Sequence, residues 1–242
     1  MRLDKFLAER GLGTRSEIKA LLSKDLVTIN GKVVKEAKYQ LADFELEQVV
    51  YQATNLSPYS KQVFMLYKPV GVLSAAKDDK SPCALDYLPS NLQTRKYSCV
   101  GRLDKYSEGL LLLTNDGELI HRLTQPKWQI KKTYKVTFSP ELKAGEAELI
   151  TSQFANGLEM KDLICKPATF QALSANTALV TVSEGKFHQV RRMMAHFAHE
   201  VTSLIRLCEG PIELGNLQTG EIRPLNAAEY AKLYAEVALE RN

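Results

Sequence analysis

The chain is poor in the residues that staple or anchor a protein. Its 242 residues include four cysteines, Cys83, Cys99, Cys165 and Cys208, and no two of them form a CxxC pair. That spacing excludes a zinc ribbon or a disulfide framework and reads as reduced, buried thiols. Long apolar runs are missing as well. The unbroken ones, such as that around Leu110 to Leu113, reach about five residues, against the ~20 that a spanning helix requires. The first residues carry Arg2, Asp4 and Lys5 where a secretory leader would be apolar. The expectation is a soluble, cytoplasmic protein. Hydrophobic residues at 45% and charged residues at 25% are ordinary for a globular chain, so a collagen-like or mostly disordered protein is excluded.

The net charge of +4 is mild but unevenly placed. Residues 1–38 hold nine bases, among them Arg10, Arg15, Lys19 and Lys24, against five acids. A second cluster of five bases, from Arg122 to Lys135, has no acid between Leu119 and Ser139. Two separate basic clusters suggest two contacts with one polyanion.

The first 50 residues read as a compact unit. Leu3, Phe6 and Leu7 follow helical spacing, and Gly11 and Gly13 stop that helix. Thr14 and Glu17 form a capping box for a second helix with Ile18, Leu21 and Leu22 on its apolar stripe. Val27 and Ile29, a turn at Asn30-Gly31, and Val33-Val34 then predict a hairpin. The polar stretch 53–62, with Pro58, reads as a linker. Beyond it, strands are expected at Val63 to Tyr67, Leu110 to Thr114, Thr133 to Phe138 and Ala178 to Val182. Helices are expected at Ala144 to Asn156 and Ala227 to Leu239, the second capped by Asn226. Ser81-Pro82 fits the start of another helix.

Two segments carry chemistry. Gly101-Arg102-Leu103-Asp104 is a turn just before a buried strand. From Glu184 a glycine turn leads into a helix whose Val190, Met193, Met194 and Phe197 form a core stripe, with His188, Arg191, Arg192, His196 and His199 elsewhere on its surface. Two adjacent arginines allow one to reach a carboxylate and the other a phosphate. His196 and His199 lack the acids or thiols that would complete a metal set.

Together with Lys68-Pro69-x-Gly71, Leu110 to Gly117 and Lys132-Thr133-Tyr134, these segments stand in the order found in RsuA-type ribosomal RNA pseudouridine synthases, and the chain resembles that family over nearly its whole length. The first 52 residues resemble an S4 RNA-binding domain. The resemblance implies an α+β protein: an S4-like domain over 1–52, a linker over 53–62, and a catalytic domain over 63–242 built on a mixed, mainly antiparallel sheet. It also implies isomerisation of uridine to pseudouridine in ribosomal RNA without cofactor or metal.

Carried over residue by residue, Asp104 matches the catalytic aspartate, Tyr134 the tyrosine stacking on the uracil, Arg191 the base paired with the aspartate, and Leu204 an apolar contact to the target. Lys68 and Arg102 support the site or touch phosphate, Arg192 faces phosphate, and Arg15 and Lys19 bind RNA from the S4 unit. Three positions depart from the family pattern. Ser107 replaces threonine, Ala198-His199 replaces a glycine, and Glu209 stands where an apolar residue is expected. The start of the chain resembles the small-subunit branch, so the expected partner is 16S rRNA or a small-subunit assembly intermediate, bound by a monomer. A 23S rRNA synthase of the same family and a non-catalytic S4 ribosome-assembly protein are the alternatives. Retention of Asp104, Tyr134 and Arg191 together argues against the second.

Overall fold

The computed structural model describes residues 1–42, 45, 48–56, 61–90, 92 and 97–239. The chain divides into two compact units, one formed by residues 1–62 with 88–96 and the other by 63–87 with 97–241.

In the first unit, α1 (Leu3–Glu9) and α2 (Arg15–Leu22) accompany a four-stranded antiparallel sheet of β1 (Val27–Ile29), β2 (Lys32–Val33), β3 (Val49–Tyr51) and β4 (Thr54–Asn55), in the order β2-β1-β3-β4. The capping box of α2 forms as expected, with Thr14 N–H donating to Glu17 Oε2 at 2.6 Å. Asn30 and Gly31 both take positive φ, 50° and 74°, which the type I′ hairpin turn demands. Leu3, Phe6, Leu7, Ile18 and Leu22 lose all solvent exposure, and each contributes about 1.5–3 kcal/mol by that burial.

The basic cluster is smaller at the surface than in the sequence. Arg10 turns inward, donates to Phe6 O at 3.1 Å and lies over the Phe6 ring. The expected linker also starts too early. Thr54 and Asn55 pair with β3 and Leu56 joins the core, so 53–56 belong to the first unit. Polar residues on an exposed sheet edge have the same composition as a linker. Residues 57–60, including Pro58, lie outside the described residues.

The second unit is built on β5 (Val63–Lys68), β6 (Ser98–Cys99), β7 (Glu108–Thr114), β8 (Lys132–Ser139), β11 (Thr169–Ser174), β12 (Thr177–Val182), β13 (Glu200–Glu209), β14 (Ile212–Glu213) and β15 (Ile222–Pro224). Its central path runs β11-β12-β8-β13-β7-β5-β15, with β14 on β13 and β6 on β7. The β7–β13 pair is parallel and the others are antiparallel. A separate hairpin joins β9 (Leu158–Met160) to β10 (Leu163–Cys165). The helices are α3 (Gly117–Thr124), α4 (Glu146–Asn156), α5 (Gln189–Ala195) and α6 (Ala227–Glu236). Leu110, Leu112, Leu119, Leu123, Tyr230 and Leu233 share one core, which joins α3 and α6 to the sheet. At Ser81-Pro82 no α-helix begins. A 3₁₀ turn at Ala84–Tyr87 follows, and Cys83 N–H donates to Asp86 at 2.7 Å.

The parallel pairing depends on one glycine. At Gly109 (φ +105°) a Cβ would stand 2.3 Å from the Arg206 carbonyl oxygen. The start of β7 can therefore lie against Ile205 and Arg206 only without a side chain there.

Candidate active site

A cleft of about 420 Å³ opens in the second unit, lined by the 101–104 loop, β8, the 182–190 segment and β13. It brings together residues distant in sequence, with Asp104, Tyr134, His188, Leu204, Arg206 and Glu209 all on its wall.

The floor follows from strand register. Tyr134 on β8 stands opposite Arg206 on β13, Val136 opposite Leu204, and Lys132 opposite Glu209. Opposed residues share a face of the sheet, so each pair is presented on one side. An irregularity between Arg206 and Cys208 shifts the register by one residue. That shift turns Glu209 to the same side as Arg206.

The Asp104 loop is held by neighbouring loops. Ser74 Oγ accepts from Leu103 N–H at 2.9 Å and donates to Leu103 O at 2.8 Å. Gly71 N–H donates to Lys105 O at 2.8 Å, and Ser107 N–H donates to Asp104 O at 3.0 Å. Lys68 is completely buried behind this arrangement, and its Nζ donates to Pro69 O and Val72 O at 2.8 and 2.9 Å. Burial pushes its ammonium down to about 8, against the pull of Asp104 and Glu108. Lys68 therefore supports the loop. Its ammonium has no exposed surface here to offer a phosphate.

The partner of Asp104 also differs from expectation. Its carboxylate is partly exposed, and Oδ1 lies 3.6 Å from His188 Nε2, the one ion-pair contact of Asp104 among the described residues. His188 takes a left-handed φ of 50° at the start of α5 and stacks on the exposed Phe187, with ring centroids 3.9 Å apart. Arg191 does not pair with Asp104. Its guanidinium donates to Val201 O at 2.8 Å and Tyr106 O at 2.9 Å, tying the start of β13 to the loop two residues beyond the aspartate. The fork of donors on an arginine suits two fixed carbonyls as well as one carboxylate.

Arg192 pairs with the exposed Asp162 at 2.5 Å and keeps part of its own side chain at the surface. Arg102 is exposed and lines the cleft, and Leu204 is buried on its wall. Arg15 and Lys19 are exposed on α2 of the first unit.

Tyr134 is 8% exposed, and burial pushes its phenol up. The cation beside it is Arg206, which sequence reasoning missed. Arg206 is 1% exposed, and its Nε donates to Leu110 O at 2.6 Å. Its signal was weak because β13, the longest strand, was not anticipated. The register irregularity breaks the alternation that would have marked it. Among the described residues, no group of three or more His, Cys, Asp or Glu is placed to hold a metal, and no helix is long and apolar enough to cross a membrane.

Residues 62–196 match the RNA pseudouridylate synthase family, and residues 1–44 match the S4 domain. The chain belongs to the RNA pseudouridylate synthase family. The synthase is 36% identical to ribosomal small subunit pseudouridine synthase A of Vibrio cholerae, over 97% of this chain and 100% of that one. It is 37% identical to a chain of Aquifex aeolicus named as an RNA pseudouridine synthase, over 96% of each. A crystal structure of a pseudouridylate synthase superposes with a TM-score of 0.65 at 34% identity, covering 96% of this chain and 99% of the other. The synthase is thus an isomerase of the RsuA family acting on RNA, with an S4 domain followed by a mixed, mostly antiparallel catalytic sheet.

Proposed function

We propose that this synthase converts a uridine of 16S ribosomal RNA, free or in a small-subunit assembly intermediate, to pseudouridine, acting as a monomer. Asp104 is the proposed reacting carboxylate, Tyr134 the stacking ring and Leu204 the apolar contact. The observation that carries this reading is the convergence of these three residues on one cleft. Support for the small-subunit target comes from full-length similarity to chains named for that subunit, at 36% identity in both Vibrio cholerae and Pseudomonas aeruginosa.

The isomerisation breaks C1′–N1, turns the uracil and joins C1′ to C5. The C5 hydrogen leaves as a proton and N1 gains one, so no electrons are exchanged with the surroundings. The base turns only once it leaves its stack, at a cost of roughly a few kcal/mol. A flat ring such as Tyr134 returns about 1–3 kcal/mol by stacking and still lets the base slide. Asp104 acts through its carboxylate as nucleophile or base. Lys68 and Arg191 act as positioning residues, because each holds backbone carbonyls that frame the loop. Arg15 and Lys19 supply phosphate contacts from the S4 domain.

The test is tritium release from 5-³H-uridine-labelled 16S rRNA, small-subunit intermediates and 23S rRNA. Release from the 16S substrates that disappears in Asp104→Asn supports the proposal. Release from 23S rRNA alone moves the target, and no release with rRNA binding intact leaves a non-catalytic S4 protein. Tyr134→Phe should retain much of the activity, and Tyr134→Ala should lose most of it. Full activity in the alanine variant removes Tyr134 from the site.

A further inference from the structure

Glu209 is the least expected group on the cleft floor. It is completely buried, and neither carboxylate oxygen has an aligned hydrogen-bond partner among the described residues. Its Oε2 lies 3.2 Å from Arg206 Nη2, an ion contact rather than a directed hydrogen bond. Lys132 stands opposite it on β8. A carboxylate in such a place carries a large desolvation cost and persists only beside compensating cations. Register brings Glu209 there, since the shift after Arg206 turns it to the cleft side instead of the opposite face.

The groups facing Tyr134 are Arg206 and Glu209 from β13 and Asp104 from the loop before β7, with Arg206 directly opposite Tyr134 across the strand pair. Arginine stays charged at any working pH. Without a counter-charge, this guanidinium would be an unbalanced cation against the phenol. With Glu209 the pair is nearly neutral and the guanidinium is held from two ends, by Leu110 O and by Glu209.

We infer that Glu209 is a positioning residue for the cleft floor: its buried carboxylate holds the Arg206 guanidinium in place beside Tyr134, coupling the three groups and fixing the orientation of the ring. The kinetic part of this inference rests on the proposed stacking role of Tyr134. The electrostatic part does not.

The electrostatic part is tested on the free protein by titrating ring-¹³C-labelled tyrosines, with Tyr134→Phe identifying the signal. Burial and Glu209 push the Tyr134 phenol up, and Arg206 pulls it down. In Glu209→Gln the phenol should ionise about one pH unit lower than in the parent protein. Glu209→Asp, which keeps the charge, should titrate close to the parent. In the tritium-release assay, Glu209→Gln should lower kcat roughly tenfold and change KM far less, with partial recovery in Glu209→Asp. An unmoved Tyr134 titration in Glu209→Gln would overturn the coupling, and a moved titration with unchanged kcat would overturn the positioning role. A parent protein that shows the coupling but releases no tritium would instead overturn the proposed function.

Discussion

His188 Nε2 lies 3.6 Å from Asp104 Oδ1, so the ring nitrogen that faces the carboxylate comes from the residue that opens α5 and not from Arg191 within that helix. Arg191 spends its donors on the carbonyls of Tyr106 and Val201. The two residues therefore predict different phenotypes. Arg191→Met removes two charge-assisted bonds and should cost about 1.5–3 kcal/mol in urea unfolding. His188→Asn tolerates the left-handed backbone and should stay within about 0.5 kcal/mol of the parent, its effect falling on kcat. Equal stability of the two variants would show that the Arg191 bonds carry no load.

Lys68 makes stability depend on pH in the alkaline range. Its folded value of about 8 lies below the ordinary 10.5. Below pH ~8 the ammonium is charged in both states, and the folded chain bears the full cost of burying it. Between pH ~8 and ~10.5 the unfolded chain binds more protons, so this contribution to stability rises with pH. The difference is about 3 kcal/mol across the window. Lys68→Met should thus gain most on the parent near pH 7, with the gap narrowing toward pH 10. A gap independent of pH, measured by urea unfolding, would contradict the buried ammonium.

Helix α5 ends in a Schellman arrangement, with His199 N–H donating to Met194 O and Ala198 N–H to Ala195 O. Ala198 occupies its left-handed position at φ 59°, so the helix end keeps this geometry without the customary glycine. Ala198→Gly should stabilise the protein by about 1 kcal/mol. For a chain of this size that corresponds to a Tm roughly 2–4 °C higher, readable by calorimetry.

Gly109→Ala should have the opposite effect. The added methyl would meet the Arg206 backbone at 2.3 and 2.6 Å and force β7 from β13. A loss of about 4 kcal/mol or more is expected, or insoluble protein. Near-parent thermal stability would refute the close approach of the two strands.

Arg15 and Lys19 face solvent on α2. Replacing either with alanine should weaken rRNA binding and reduce the slope of log K against log salt by about 1, leaving turnover of the bound complex unchanged. Binding unaltered in both variants would remove that helix from the RNA contact.

The elements that the sequence determined by itself are those whose hydrogen bonds and periodicity close within a few residues. The Thr14–Glu17 and Asn226–Glu229 capping boxes, the Asn30-Gly31 turn and the leucine run of β7 all stand where local chemistry puts them. Only the tertiary structure decided which cations face which carboxylates. Arg191 and Arg206 are equally basic on paper. Strand register buries Arg206 beside Tyr134, and the ends of two backbone segments claim Arg191. The same holds for Lys68, whose burial follows from loops packed over β5, and for Glu209, whose side of the sheet follows from one shifted residue. Pairing partners and register shifts depend on residues about 70 positions away in the chain, as between Tyr134 and Arg206, and no local pattern encodes them.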